Sequence, residues 1–120
     1  MLTREKYWEL NICDSDTFGS WGSQGIEVAC KTWLSGGRVV VNHDTWYAHL
    51  FRTKGGDFGF PYPNSGSKAQ KAKKLAKDIF FNNKWDKAIR PLSWLVEKFW
   101  PVKGWSDEDL ANLKLSEQTR

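Results

Sequence analysis

Two tracts dense in turn-forming residues divide this chain into short segments and limit the folds that are open to it. Residues 13–25 are rich in Asp, Ser and Gly, and residues 53–67 combine Gly and Pro with aromatic side chains. Asp and Ser favour turns through side-chain hydrogen bonds to the backbone, and Gly accepts a positive φ. We therefore predict two long loops, the second of which exceeds ordinary connections and is typical of a functional segment.

Apolar side chains recur with a helical period in the segments around these loops. Positions three and four residues apart share one face of a helix, and capping residues mark where it starts and ends. The pair Gly36-Gly37 is predicted to end a helix that opens at Ser23, with Gly37 in a positive-φ conformation. The other predicted helices are Thr3 to Leu10, Lys68 to Phe81, one after Pro91 that ends at Pro101, and one capped by Ser106 with Asp109 in its first turn.

A β-branched run between two turns predicts a strand. Arg38 to Val41 lies between the Gly-Gly pair and an Asn-His-Asp turn, which is typical of a buried strand. Thr45 to Arg52 is predicted as a second extended segment. Helices and strands in this order predict an α/β arrangement with too few strands to complete a sheet of its own.

Length and composition fit one globular domain or a piece of a larger one. The chain has 120 residues, of which 40% are hydrophobic and 27% charged, close to the average for globular proteins. Its purely apolar runs, such as Val39 to Val41, are much shorter than the ~20 residues of a membrane-spanning helix. The start of the sequence is charged where a signal peptide is apolar. We therefore expect a cytoplasmic protein in which Cys13 and Cys30 are reduced thiols.

Four short segments within residues 1–52 carry a recurring pattern: Arg4 to Trp8, Trp21 to Glu27, Trp33 to Arg38 and His49 to Arg52. In this order and spacing they resemble the C-terminal half of the catalytic domain of family 2 glycosyltransferases of GT-A fold, such as the polypeptide N-acetylgalactosaminyltransferases. In those enzymes a Trp-Gly-Gly-Glu-Asn-x-Glu loop opens a helix, a Trp-x-x-Gly-Gly turn leads into a strand, and a His-x-Phe-Arg segment closes the site. Beyond these segments the sequence is similar to bacterial and phage-type members.

The resemblance implies the C-terminal portion of a GT-A, Rossmann-like α/β domain, with a few strands and a helical C-terminal tail. Residues 1–67 would form the acceptor-side part of the catalytic domain, including the aromatic loop, and residues 68–120 the tail. The implied reaction is transfer of a sugar from a nucleotide sugar to an acceptor hydroxyl, on a glycan or another molecule. Such a transfer builds charge on the departing diphosphate and needs an acceptor hydroxyl held at the anomeric carbon.

The resemblance also implies roles for individual residues. His49 matches a histidine that coordinates a divalent metal, expected to be manganese, together with carboxylates from an upstream half. Glu27 matches the second acid of the loop, and Gln24 stands where relatives place the first; both are predicted to be catalytic. The predicted substrate-binding residues are Trp21, Gly22, Arg52, Phe60 and Tyr62.

Two departures from the pattern argue that the chain alone is inactive. Gln24 is an amide, which can hydrogen-bond sugar hydroxyls but cannot take a proton. The sequence also contains no segment that matches the nucleotide-binding half. We therefore expect a truncated product, a split-gene partner or a fragment, which requires a separate N-terminal half for transfer and by itself holds no metal tightly.

A small non-catalytic binding module for glycan or nucleic acid is the alternative interpretation. Residues 61–120 contain twelve basic and seven acidic side chains, so any surface that attracts anions lies in this half. A run of lysines on a helix is more often a solvated face than a nucleic-acid interface, and tryptophans more often build cores than bind sugars. Nucleic acid is therefore the less favoured partner.

Overall fold

The computed structural model is helical throughout the residues that it describes, which are 2–20, 22–52, 59 and 66–118. Within these ranges, six helices follow one another without an intervening strand. They are α1 (Arg4–Glu9), α2 (Ser15–Phe18), α3 (Gln24–Leu34), α4 (Gly66–Phe81), α5 (Leu92–Lys98) and α6 (Asp107–Gln118).

The predicted α/β fold is wrong. Arg38 to Val41 and Thr45 to Arg52 lie outside the helices, form no strand and are exposed along their whole length, with Val40 71% exposed. A β-branched run forms a strand where neighbouring strands pair with it and a second layer covers it. In the described part of the chain the helices bury their apolar faces against one another. This part contains no sheet that the two predicted strands could join.

The predicted helices are confirmed. They could be predicted because the residues that start and end a helix act on close neighbours in the sequence. The Thr3 hydroxyl accepts a hydrogen bond from the Lys6 N–H (3.3 Å) at the start of α1. At the start of α6 the Asp109 N–H donates to the Ser106 hydroxyl (3.1 Å), and the Ser106 N–H donates back to the Asp109 carboxylate (2.9 Å). This reciprocal cap is the one that the spacing predicts.

The first of the two predicted loops contains a helix that the sequence pattern did not reveal. Asp14 caps α2 by accepting a hydrogen bond from the Thr17 N–H (3.0 Å). Phe18, the last residue of α2, is buried in the core. Four residues are too few to show a helical period, so the Asp and Ser content of this tract predicted turns alone.

The turn after α3 forms at the predicted place, but its positive φ lies at Gly36 and not at Gly37, where it was predicted. Gly36 has the positive φ (+89°), whereas Gly37 does not. A Cβ atom on Gly37 would lie 2.9 Å from the Thr32 carbonyl oxygen. Gly37 is therefore required for close backbone packing, and the prediction that it carries the positive φ is wrong.

The core lies where α2, α3, α4, α5 and α6 meet. Helix α4 packs on α2 and α3, while α5 packs on α3 and α6. The Leu34 carbonyl oxygen accepts from the N–H groups of Ile89 (2.8 Å) and Arg90 (3.1 Å), which fastens the end of α3 to the segment before α5. Among the described residues, no helix has the length and apolar character needed to cross a bilayer. The buried core side chains are Phe18, Leu34, Ala76, Phe80, Leu92, Val96 and Leu113.

Candidate functional site

A small cavity beside α2 and the first turn of α3 brings together three of the predicted site residues. Its volume is about 210 Å³, and Gly22, Gln24 and Glu27 all line it. The remaining lining comes from the α2 segment: Cys13, Asp14, Ser15, Phe18, Gly19 and Ser20. We call this space the α2–α3 cavity.

Local geometry explains why these three residues share one cavity. Ser23 has a left-handed conformation (φ 60°) and turns the chain into α3. Gln24 and Glu27 lie three residues apart in the first turn of that helix, so their side chains share a face. Gly22 has φ +106°, and a Cβ atom there would lie 3.0 Å from the Ala69 Cα of α4. A side chain at position 22 would therefore push this wall of the cavity away from α4.

Glu27 is buried at the base of the α2–α3 cavity, with an exposed fraction of 1%. Its Oε1 accepts a hydrogen bond from the Asp14 N–H (3.0 Å) and another from the Lys31 ammonium (2.8 Å). The carboxylate thus fastens the start of α2 to α3. This arrangement holds the cavity wall in place.

Lys31 compensates the buried charge of Glu27 and is itself 1% exposed. Its ammonium group donates to the Asn11 carbonyl oxygen (2.6 Å) and lies 3.8 Å from Asp14 Oδ2. The same group lies 4.8 Å from the centre of the Trp85 ring, a cation–π contact. A buried ammonium requires such partners, because an unpaired charge in a protein interior is costly.

Asp14 combines three roles at the edge of the cavity: helix cap, neighbour of Lys31 and lining residue. Partial burial raises the pKa of its carboxyl group, but hydrogen bonds from Thr17 and the charge of Lys31 outweigh this, so that the pKa is lowered overall. Sequence reasoning missed Asp14 and Lys31 as members of the site. The spacing of Glu27 and Lys31, four residues apart on a helix, is the signal that indicates an ion pair.

The structure does not bring His49 to the α2–α3 cavity. His49 lies on the exposed segment between α3 and α4, where its ring packs against Phe51 with the ring centres 4.3 Å apart. It is not among the described residues that line the cavity. His49 is therefore not placed with Gln24 and Glu27 in this cavity, and its role as a metal ligand stays a prediction.

The described residues do not fit a manganese site. Within this part of the chain, no group of three or more His, Cys, Asp or Glu side chains is placed to hold a metal ion. A single imidazole does not hold a divalent ion without further ligands. We therefore derive no chemical step through a metal.

The other predicted substrate-binding residues are only partly described. Arg52 is exposed, and its guanidinium donates to the Gly59 carbonyl oxygen (2.8 Å). Trp21, Phe60 and Tyr62 lie outside the described residues, so their roles stay predictions.

Two larger concave surfaces are lined by none of the predicted site residues that the structure describes. One is a groove of about 690 Å³ between α4 and α6, lined by Lys74, Lys77 and Trp105 among others. The other, of about 480 Å³, lies where the end of α3 meets α5. Neither was expected from the sequence, because each depends on how distant helices pack.

Comparison with known proteins gives a similarity over part of the chain. A stretch of 53 residues is 40% identical to a protein of Caenorhabditis elegans named "Probable N-acetylgalactosaminyltransferase 8". The similarity is to a glycosyltransferase. It covers 44% of this chain and 12% of the length of that relative. No protein-family model matches the chain, and no solved structure matches it. The resemblance of the sequence segments is thus supported at the level of glycosyltransferases in general, while the family and the GT-A fold are not.

Proposed function

We propose that this chain provides the acceptor-side part of a glycosyltransferase, and that by itself it binds a sugar in the α2–α3 cavity without transferring it. The observation that carries the proposal is that Gly22, Gln24 and Glu27, which belong to one glycosyltransferase-like segment, line a single cavity. The similarity to a glycosyltransferase over 53 residues supports it. Transfer from a nucleotide sugar to an acceptor hydroxyl then requires a donor-binding part outside these 120 residues.

The lining of the α2–α3 cavity has the chemistry that a sugar requires. The Gln24 amide offers donors and an acceptor, and the hydroxyl groups of Ser15 and Ser20 offer both. Sugar hydroxyl groups are donors and acceptors in the same way. Phe18 also lines the space, so an aromatic side chain lies beside these polar groups, as suits a sugar, whose ring carries apolar C–H groups as well as hydroxyl groups.

Glu27 acts in this proposal by positioning the cavity wall. Its Oε1 accepts two hydrogen bonds, one from the Asp14 N–H and one from the Lys31 ammonium, and these tie the carboxylate to the start of α2 and to the next turn of α3. Gln24 cannot accept a proton. Because Gln24 stands where relatives place the first acid of the loop, and no segment of the sequence resembles a nucleotide-binding half, we propose binding without transfer.

Sugar binding is tested by titrating the protein with methyl α-N-acetylgalactosaminide in a calorimeter. Gln24→Ala removes hydrogen bonds worth ~0.5–1.5 kcal/mol, so we expect its dissociation constant to rise by about three- to tenfold. Gln70→Ala is the matched control, because Gln70 is an exposed glutamine on α4, and it should bind as the unaltered protein does. If the two variants bind the sugar equally well, Gln24 is not part of the binding site.

The absence of transfer is tested separately by measuring release of nucleoside diphosphate from a panel of nucleotide sugars in the presence of manganese. We expect no turnover above background by the purified chain. Turnover that is lost in His49→Ala would show that the chain is an enzyme and that His49 belongs to its site.

A further inference from the structure

The concave surface where the end of α3 meets α5 gathers three cations around two tryptophan rings. Its volume is about 480 Å³, within the range of ~300–1,000 Å³ that is typical of small-molecule sites. We call it the basic aromatic pocket, defined by the residues that line it: Trp33, Gly36, Gly37, Arg38, Arg90, Trp94 and Lys98.

The ends of three segments build this pocket. Trp33 lies in the last turn of α3, while Trp94 and Lys98 are four residues apart and share a face of α5. Arg90 is held beside them because its N–H donates to the Leu34 carbonyl oxygen at the end of α3 (3.1 Å). The cations are thus brought together by the fold and not by their positions along the sequence.

The rings hold two of the cations in place. The Arg90 guanidinium lies 4.3 Å from the centre of the Trp94 ring. The Lys98 ammonium lies 5.4 Å from the Trp33 ring and 5.7 Å from the Trp94 ring. A guanidinium stacked on a ring keeps the N–H groups at its edge available, and that edge matches two oxygens of a phosphate or sulfate.

No carboxylate among the described residues balances these charges. None lines the pocket, and none of the ion pairs formed in this part of the chain includes Arg38, Arg90 or Lys98. Like charges gathered in a concave surface repel one another and concentrate anions there. The pocket therefore offers donors and positive charge to a ligand, and the indole faces supply an apolar wall.

We propose that the basic aromatic pocket binds the phosphate or sulfate group of a small ligand. Arg90 contacts the oxyanion through its N–H edge, and Lys98 and Arg38 add charge from either side. This site is separate from the α2–α3 cavity, so the proposal does not depend on the sugar-binding function. Phosphate and sulfate share this chemistry, and the source of the group is decided by experiment.

The test uses inorganic pyrophosphate and a sulfated heparin disaccharide as probes, each titrated into the isotope-labelled full chain. We expect at least one of them to bind saturably and to shift the indole N–H signals of Trp33 and Trp94; the tighter probe identifies the source of the group. Absence of a saturable shift with both probes at millimolar concentrations would overturn the proposal.

Charge-matched variants distinguish a specific binding site from general attraction of anions to a basic surface. Arg90→Gln with Lys98→Gln should weaken binding about tenfold or more. Each substitution removes a charged donor, and hydrogen bonds from charged donors contribute more to binding than neutral ones. Lys71→Gln with Lys74→Gln removes the same charge from α4 and should change binding less than about twofold, because exposed charges at a distance are screened. Equal losses in the two double variants would overturn the proposal.

A conservative variant keeps the test decisive if the first double variant fails to fold. Arg90→Lys retains the charge but loses the planar fork, so we expect clearly weaker binding with the fold intact in the spectrum. Unchanged binding by Arg90→Lys would contradict the role given to Arg90. Binding of oligothymidylate that depends on Lys71 and Lys74 as strongly as on Arg90 and Lys98 would instead indicate a diffuse nucleic-acid surface and would also overturn the proposal.

Discussion

Lys31 and Glu27 form the most deeply buried ion pair among the described residues, with 2% of each side chain exposed. Both side chains lie on α3. Their further hydrogen bonds, to the Asp14 N–H and the Asn11 carbonyl oxygen, join the segment before α2 to α3. Breaking such a pair leaves one charge buried without its partner, which costs far more than the pair contributes when both partners are present.

We predict that Glu27→Gln lowers the free energy of unfolding by about 3 kcal/mol, within the ~3–5 kcal/mol range for a broken buried pair. The amide can still accept from the Asp14 N–H, so the loss reflects the buried Lys31 charge, which keeps only the more distant Asp14 carboxylate (3.8 Å) as an ion-pair partner among the described residues. Urea denaturation measures the change. Glu9→Gln is the control, because its pair with Lys6 is about half exposed and exposed pairs contribute ~0–1 kcal/mol. Similar effects of the two substitutions would show that the Glu27 pair is not buried in solution.

The two cysteines are free thiols in different surroundings. Burial raises the pKa of the Cys30 thiol to about 11, whereas Cys13 is exposed. The thiolate is the reactive form, so at pH 8 Cys30 has almost none of it in the folded protein, and the fraction rises as the pH approaches that pKa.

We predict that iodoacetamide at pH 8 alkylates Cys13 in the folded protein and leaves Cys30 largely unmodified. Mass spectrometry of the peptides gives the extent at each position. In urea both cysteines should react, which controls for reagent and digestion. Alkylation of Cys30 in the folded protein as fast as of Cys13 would contradict its burial between the helices.

The turn between α3 and the exposed segment depends on two glycines for different physical reasons. Gly36 is needed for its positive φ, and Gly37 for its contact with Thr32. We predict that Gly37→Val destabilises the fold by more than ~1 kcal/mol, because the branched side chain meets the Thr32 backbone. The midpoint of thermal unfolding measures this.

Gly25 provides the matched control for that substitution. It lies in the first turn of α3, and a Cβ atom there meets nothing within 4 Å. Gly25→Ala should therefore leave stability unchanged or raise it by up to ~1 kcal/mol, since alanine favours the helix. If Gly37→Val unfolds at the same temperature as the unaltered protein, the close contact with Thr32 is absent in solution.

The helices were predictable and the strands were not, because the two depend on different kinds of contact. The Ser106 cap and the apolar stripe of α4 act within a few residues, so the sequence shows them directly. Arg38 to Val41 has the composition of a strand, but pairing with another strand is a long-range contact that composition does not specify. The helix α2 was not predicted, because an Asp at position 14 is as typical of a turn as of a helix cap.

For the candidate sites of the whole molecule, too, local contacts could be predicted from the sequence and long-range contacts could not. Gly22, Gln24 and Glu27 lie within one short segment, so their convergence on a cavity could be anticipated from the motif. His49 lies outside this motif on a long exposed segment, so its position depends on how that segment lies against the helices. The basic aromatic pocket combines residues from α3, α5 and the turn between α4 and α5, and no local pattern in the sequence predicts such an assembly.

The most direct test of sugar binding in the α2–α3 cavity is a titration of the ¹⁵N-labelled chain with methyl α-N-acetylgalactosaminide, followed through amide chemical shifts. We predict that the largest shifts occur at the Gln24 side-chain amide and at the backbone amides of Gly22 and Ser20. The neutral sugar should leave the indole signals of Trp33 and Trp94 in place. Shifts concentrated at those indoles or in the groove between α4 and α6, with the Gln24 amide unmoved, would contradict the account.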